Sequence, residues 1–232
     1  MSKLLIVIPA YNEEANIERV VKNLIDNYPQ YDYVVVNDGS KDQTAEICKK
    51  NHFNLLDQPI NLGLAGAFQT GMKYAYAMGY DAAIQFDGDG QHRPEYIEKM
   101  VNEIQNGMDI VIGSRFVSEQ KPSSLRMLGS NIIESMIKIT TGNTIKDPTS
   151  GMRMYNKKIL KLLAENLNMG PEPDTISYLM KSGAKVKEIQ VHMDERIAGE
   201  SYLTLSRSIK YMLTMSVSIL LISFFRKKTE ME

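Results

Sequence analysis

The chain has 232 residues, 27 lysines and arginines, 28 aspartates and glutamates, and a formal net charge of −1. This length is enough for one good hydrophobic core, and the near-neutral charge does not favour nucleic acid as a partner. Cys48 is the only cysteine, which excludes an intramolecular disulfide and fits a reducing compartment.

Short aliphatic segments alternate with segments of helical period along the first half of the chain. The predicted strands cover residues 4–8, 33–36, 53–56, 82–86 and 109–112. This alternation predicts an α/β fold with a doubly wound, mostly parallel sheet. Because every polar loop follows a strand, the loops should gather at the sheet edge where such folds bind ligands.

An acidic turn follows the fourth predicted strand. Asp87 and Asp89 are separated by one residue, so their side chains point to the same side of an extended backbone. The side chain of Gln91 points to that side as well if the backbone stays extended. Hard oxygen ligands on a glycine-rich turn suit a divalent cation that also holds a diphosphate. A plain Asp/Gly surface turn is the alternative for the motif taken alone.

Several motifs, taken in order, resemble glycosyltransferase family 2. They are Ile8-Pro9-Ala10-Tyr11-Asn12-Glu13-Glu14, Asn37-Asp38-Gly39-Ser40, Asn61-Leu62-Gly63, Asp87-Gly88-Asp89-Gly90-Gln91-His92 and Gly113-Ser114-Arg115. Within the family, the chain is similar to the polyprenyl-phosphate sugar synthases. The segment Asp147–Arg153 resembles a Ser-Gly-Phe-Arg motif of that subgroup, with Met152 in place of the phenylalanine.

The resemblance implies a GT-A-type nucleotide-sugar-binding fold with a catalytic domain over residues 1–200. It also implies a donor site and a metal cofactor, Mg²⁺ or Mn²⁺. The residues expected to bind the nucleotide sugar are Pro9, Tyr11, Glu13, Asp38, Asp87, Gly88 and Asp89. The expected metal ligands are Asp87, Asp89 and Gln91, with His92 as a supporting residue of the motif. Helix capping is the alternative role for the polar residues after the first two strands.

The same resemblance implies a lipid phosphate as the acceptor. Such a phosphate arrives largely ionised, so it needs cations around it rather than a strong general base. We therefore expect an excess of cations around the crevice, with Arg115 among the catalytic residues. The expected acceptor-phosphate residues are Arg126, Ser130, Arg153 and Arg196, the first two being four residues apart on one helix face. Solvated surface arginines are the alternative.

Glu172-Pro173-Asp174 precedes a predicted helix over Thr175–Lys181. In relatives that use a hydroxyl acceptor, an acidic residue of this region is the general base, and Asp174 is the catalytic candidate here. Asp174 is also suited to binding sugar hydroxyls or to capping the helix.

The C-terminal segment 201–232 is predicted to be an amphipathic helix followed by a basic tail. Residues 211–225 are almost wholly apolar, but they are too few to span a bilayer. An interfacial membrane helix fits this pattern, and a small-residue stripe suits a small integral membrane protein as partner. Packing on the protein's own core is the alternative.

The sequence thus favours an inverting, metal-dependent transferase that moves glucose or N-acetylglucosamine from a UDP-sugar to polyprenyl (undecaprenyl) phosphate for cell-surface glycans. A saccharide-hydroxyl acceptor with Asp174 as base is one alternative, and a non-catalytic nucleotide-sugar-binding module is another. With no signal peptide before the first strand, the expected location is the cytoplasmic face of the membrane.

Overall fold

The structure is a computed structural model that describes residues 3–195 and 205–226, without the side chains of residues 125, 126 and 205–209. The strands are β1 (Leu4–Ala10), β2 (Asp32–Asn37), β3 (Leu55–Asp57), β4 (Ala82–Gln85), β5 (Ile110–Ser114), β6 (Arg153–Asn156) and β7 (Val186–Gln190). The helices are α1 (Ile17–Asn27), α2 (Thr44–Lys50), α3 (Gly63–Ala77), α4 (Ile97–Gln105), α5 (Leu125–Thr141), α6 (Lys157–Glu165), α7 (Pro173–Lys181) and α8 (Leu205–Phe225).

The strands form one seven-stranded sheet in the order β3-β2-β1-β4-β6-β5-β7. All neighbouring strands are parallel except β6, which is antiparallel to both β4 and β5. The prediction of a mostly parallel α/β fold is confirmed. The sequence did not predict β6 and β7, because both are short and neither contains an uninterrupted apolar run.

Helices cover both faces of the sheet, so the inner strands are buried on both sides. In β1, Leu5 and Val7 face the cluster formed by α3 and α5 to α8, whereas Ile6 and Ile8 face the cluster of α1, α2 and α4. All four side chains are fully buried. This two-sided burial explains why the strands read as continuous apolar runs instead of alternating ones.

Helix α8 packs against α5 and α7. Ile219 is fully buried in the core, and α8 passes so close to α5 that a Cβ at Gly129 would lie 1.4 Å from the Met212 sulfur. The part of the predicted C-terminal helix that the structure describes therefore rests on the protein's own core through one face. Its opposite face is apolar and exposed at Leu213, Val217 and Leu221.

None of the helices within the described ranges 3–195 and 205–226 has the combination of length and hydropathy required to cross a membrane.

Candidate active site

A cavity of about 880 Å³ opens at the carboxyl ends of β1, β2 and β4. All seven residues predicted to bind a nucleotide sugar line it, namely Pro9, Tyr11, Glu13, Asp38, Asp87, Gly88 and Asp89. Ser130 and Arg153, two of the four residues predicted for the acceptor phosphate, line it as well. The parallel strands β1, β2 and β4 bring the seven predicted donor residues to one edge of the sheet, as the sequence predicted, whereas Ser130 comes from α5 and Arg153 from the antiparallel β6.

Hydrogen bonds join the loops that follow β1 and β2 at one end of the cavity. The Asn12 amide donates to Ser40 Oγ over 3.0 Å, and the Lys41 amide donates to Asn12 Oδ1 over 2.9 Å. The Glu13 amide donates to Thr44 Oγ1 over 2.8 Å. Asn12 takes a left-handed conformation, with φ at 56°. This fixed turn holds the neighbouring Tyr11 in the cavity wall.

Asp38 joins this end of the cavity to the loop before α3. Its Oδ1 accepts a hydrogen bond of 2.7 Å from the Leu62 amide. Burial raises the pKa of Asp38, while hydrogen bonds from the Leu62 and Gly63 amides act in the opposite direction. A close neighbour, Gly39, has φ at 63°, and a Cβ there would lie 2.5 Å from the Ile60 carbonyl carbon, so a side chain would push the loops apart.

The acidic turn after β4 is held by its own residues. The Asp87 amide donates to His92 Nδ1 over 3.0 Å, and the Gln91 amide donates to Asp89 Oδ1 over 3.1 Å. With Nδ1 accepting, the other ring nitrogen of His92 carries the proton and lies 3.4 Å from Asp87 Oδ2. His92 is 5% exposed and contacts Phe86 edge to face. It therefore supports the motif, as expected.

The two aspartates of this turn fit a divalent cation. The Asp87 side chain is 35% exposed, and Asp87 and Asp89 both line the cavity. The space beside them depends on Gly151, because a Cβ there would lie 2.7 Å from Asp87 Oδ2. Within the described ranges, no set of three histidine, cysteine, aspartate or glutamate side chains is arranged to hold a metal. Two carboxylates suit Mg²⁺ or Mn²⁺ that takes its remaining ligands from phosphate and water.

The structure does not support Gln91 as a third ligand. Its Nε2 donates to the Asp194 carbonyl over 3.2 Å, and the residue does not line the cavity. The prediction needed an extended backbone, but Gly90 has φ at 79° and turns the chain. The side chains of Asp89 and Gln91 therefore do not point to the same side of the chain.

Charge in the cavity differs from the prediction. Five carboxylates line it (Glu13, Asp38, Asp87, Asp89 and Glu172), and Arg153 is the one arginine or lysine among its described lining residues. The predicted excess of cations is wrong for this part of the chain. Arg126 and Arg196 lie outside the described side chains, so the structure does not locate their charges.

Arg115 has a structural partner instead of a cavity position. Its guanidinium donates to both carboxylate oxygens of Asp147 over 2.7 and 2.8 Å, and the Asp147 side chain is fully buried. Burial alone would lower the pKa of Arg115, but the hydrogen bonds and charge of Asp147 outweigh it and raise the pKa. Arg115 is absent from the cavity lining. Its contact with Asp147 fixes the loop that leads to β6.

Arg153 enters the cavity because β6 runs antiparallel beside β4. It pairs with Gln85 in the register of the two strands, and each is 1% exposed. The Arg153 guanidinium donates to the carbonyls of Pro148 and Pro171. Arg153 thus ties two loops together at the cavity floor. Beside it, Gln85 Nε2 lies 3.3 Å from Asp87 Oδ1 and helps to orient that carboxylate.

The two carboxylates at the start of α7, Glu172 and Asp174, have different surroundings. Glu172 lines the cavity, where its Oε2 accepts a hydrogen bond from the Tyr211 hydroxyl. Asp174 does not line the cavity. Its carboxylate accepts from the Thr175 amide over 2.7 Å and from Ser218 Oγ over 2.5 Å. Asp174 therefore holds α8 against α7, and the structure does not bring it to the cavity as a catalytic base.

Comparison with known proteins gives the family. The sequence profile described as Glycosyl transferase family 2 matches residues 5–163, which is more than half of the chain.

The chain belongs to glycosyl transferase family 2.

Two relatives of this glycosyltransferase are named for polyprenyl-phosphate chemistry. A UDP-N-acetylglucosamine–dolichyl-phosphate N-acetylglucosaminyltransferase of Methanococcus voltae is 35% identical over 183 residues, covering 70% of this chain and 72% of that protein. An undecaprenyl-phosphate mannosyltransferase of Micrococcus luteus is 28% identical over 215 residues, covering 87% and 88%.

A solved structure shares the fold of this glycosyltransferase. Glucosyl-3-phosphoglycerate synthase of Mycobacterium tuberculosis, crystallised with Mn²⁺, UDP and phosphoglyceric acid, aligns with a TM-score of 0.65 at 17% identity. The alignment covers 97% of this chain and 80% of that one. At this identity the comparison supports the predicted GT-A-type architecture and nothing finer.

Sequence reasoning missed the contribution of α8 to this glycosyltransferase site. Tyr211 and Met212 both line the cavity. A tyrosine among aliphatic residues signals a buried polar contact, since buried tyrosine hydroxyls usually find a partner.

Lys121 was also missed; its ammonium lies 3.3 Å from Ser130 Oγ and 2.7 Å from Glu134. No motif marks Lys121, because the loop that brings it there is defined only by the tertiary fold.

Proposed function

We propose that this glycosyltransferase moves a sugar from a UDP-sugar to polyprenyl phosphate in a single displacement with inversion, with Mg²⁺ or Mn²⁺ bound. The observation that carries the proposal is the acidity of the cavity. Five carboxylates against one arginine would repel a nucleoside diphosphate, so donor binding requires a divalent cation in the same cavity. Asp87 and Asp89 would hold this cation, which would stabilise the charge on the departing diphosphate.

At the donor end, Tyr11 and Asp38 would bind the base and ribose. Tyr11 offers a ring face for stacking in the cavity wall, and the Asp38 carboxylate is already oriented by the amides of the α3 loop. Glucose or N-acetylglucosamine is the favoured sugar. The name of the Methanococcus relative supports a uridine donor with N-acetylglucosamine.

At the acceptor end, Ser130 and Arg153 would contact the lipid phosphate. Ser130 offers a hydroxyl donor, and the Lys121 ammonium, which is paired with Glu134, donates to the same hydroxyl oxygen over 3.3 Å. A phosphate monoester is mostly ionised at neutral pH and needs no strong base. The bonding of Asp174 to Ser218 agrees with this chemistry and gives no support to the hydroxyl-acceptor alternative. Arg126 and Arg196 stay predicted acceptor residues.

A lipid acceptor requires the cavity to lie near a membrane. The exposed face of α8 carries Leu213, Val217 and Leu221, and α5, which packs against α8, exposes Leu128 and Ile132. We propose that this two-helix apolar face contacts the cytoplasmic face of the membrane or a small integral membrane protein.

The decisive experiment incubates the protein with Mg²⁺, a short polyprenyl phosphate and, in parallel, radiolabelled UDP-glucose, UDP-N-acetylglucosamine and GDP-mannose. We expect label from one UDP-sugar to pass into the organic phase, and to stay aqueous with excess chelator or with Asp89→Asn. If the wild-type protein labels a soluble saccharide and never the lipid, the acceptor assignment is wrong.

Membrane contact is tested separately by flotation with vesicles of phosphatidylglycerol and phosphatidylcholine. Val217→Glu with Leu221→Glu should abolish flotation, whereas Ile25→Glu, at an exposed apolar position on α1, should leave it unchanged. Co-purification of a small membrane protein with the wild type alone would identify a protein partner as the occupant.

A further inference from the structure

Helix α8 carries a polar contact into the cavity. The Tyr211 hydroxyl donates to Glu172 Oε2, and both residues line the cavity. Burial, followed by the charge of Glu172, raises the pKa of Tyr211, so the phenol stays a protonated donor at ordinary pH. The second carboxylate oxygen, Glu172 Oε1, has no hydrogen-bond partner among the residues that the structure describes.

We propose that Tyr211 is a positioning residue, which holds Glu172 so that Oε1 accepts a hydrogen bond from a hydroxyl of the transferred sugar. This inference deepens the proposed function and rests on it. Tyr211 itself need not touch the substrate. Its hydrogen bond to Glu172 Oε2 fixes the orientation of the carboxylate and so directs Oε1 toward the sugar.

The chemistry of the two substrates favours the sugar as the partner of Glu172. A carboxylate accepts hydrogen bonds and repels phosphate, so neither the donor diphosphate nor the acceptor phosphate suits it. Sugar hydroxyls are the neutral donors that the proposed reaction brings into this cavity. A hydrogen bond to a charged carboxylate is also stronger than one between neutral groups.

Other contacts hold α8 in the position that this role of Tyr211 requires. Ser218 Oγ donates to Asp174, the Lys181 ammonium donates to Ser223, and the missing side chain of Gly129 lets Met212 approach α5. Helix α8 is thus fixed on both sides of its core-facing surface.

The charged and titratable groups around the pair come from two elements, β6 and α7. Arg153 and Tyr155 of β6 act on it electrostatically, as does Asp174 of α7 on Tyr211. The Arg153 guanidinium donates to the Pro148 and Pro171 carbonyls instead of to Glu172. The Tyr211 hydroxyl is therefore the group that orients Glu172 by a hydrogen bond.

The test compares Tyr211→Phe, Glu172→Gln and the double variant with the wild type. Calorimetry in Mg²⁺ gives the Kd of UDP and of UDP-glucose, UDP-N-acetylglucosamine and GDP-mannose. We expect each single variant to raise the ratio of the nucleotide-sugar Kd to the nucleotide Kd by about 5- to 10-fold. The double variant should raise it no further, because both changes remove the same interaction. The Kd of UDP alone should change by less than about twofold.

Tyr80→Phe is the matched control. Tyr80 donates to Asp32 over 2.9 Å, a second tyrosine–carboxylate pair, at the sheet edge opposite the cavity. Removing its hydroxyl should leave the ratio unchanged.

Three outcomes overturn the inference. They are an unchanged ratio in a folded Tyr211→Phe protein, additive effects in the double variant, or an equal loss of affinity for UDP. If no nucleotide sugar binds the wild type, both the inference and the donor assignment are wrong. If the ratio shifts as expected while wild-type protein makes no lipid-linked sugar, the acceptor assignment is wrong and the role of Tyr211 stands.

Discussion

Gly151→Ala should damage the proposed metal site without damaging the fold. A Cβ at this position would lie 2.7 Å from Asp87 Oδ2 and 3.2 Å from Oδ1. Ordinary contact begins near 3.4 Å, so the nearer oxygen must move by about 0.7 Å. Asp87 has room to move, because its side chain is 35% exposed. The backbone at Gly151 does not have the positive φ that would exclude alanine.

The distance by which the Asp87 carboxylate must move determines how much activity is lost. A misplacement of about 1 Å at a reacting centre can cost roughly 100-fold, so we expect a loss of about 10- to 100-fold in kcat/KM. Stability should change little, because a Gly→Ala change at a compatible site stabilises by about 0.4–1 kcal/mol and offsets the local crowding. Half-maximal activity should also require more Mg²⁺ than in the wild type.

The assay is initial-rate transfer of sugar to polyprenyl phosphate over a Mg²⁺ titration, with the melting temperature measured in parallel. Gly170→Ala is the control, since its Cβ would first meet the Ala65 methyl group at 3.1 Å and the Glu172 Cγ only at 3.7 Å. If Gly151→Ala keeps kcat/KM within twofold of the wild type at limiting Mg²⁺, Asp87 does not act from the position seen in the structure.

Three further predictions follow from contacts outside the cavity. Asp174→Asn should lower the melting temperature, because it weakens the contact with Ser218, yet keep most lipid glycosylation; complete loss of activity in a folded protein would restore the general-base alternative. Arg115→Ala should cost about 3 kcal/mol in urea unfolding, because the buried Asp147 loses its partner, and a cost below about 1 kcal/mol would contradict that account. Cys48 is fully buried, with burial raising its pKa to about 11, so mass spectrometry at pH 8 should find it alkylated by iodoacetamide only after unfolding; rapid labelling of the native protein would show that this thiol is accessible.

Local patterns were enough to predict that the residues proposed for the donor lie together in one cavity. Pro9 lies at the end of β1, Asp38 and Asp87 come just after β2 and β4, all three strands have buried apolar runs, and the carboxyl ends of parallel strands meet at one sheet edge. The prediction failed where the backbone left the regular pattern. Gly90 turned Gln91 away from the two aspartates, a local change that side-chain parity does not anticipate.

The sequence by itself determined the α/β class, the family and the loops at the proposed donor end of the cavity, because each depends on residues close together in the chain. The tertiary structure alone decided the other half of the cavity. Arg153 lines the cavity from an antiparallel strand that has no apolar run. Arg115 lies outside the cavity, bound to the buried Asp147. Tyr211 donates a hydrogen bond to Glu172, which lies 39 residues earlier in the chain. These contacts join segments that are far apart in the chain. Their energies depend on how deeply the whole fold buries each group and on which charged partner it places beside that group.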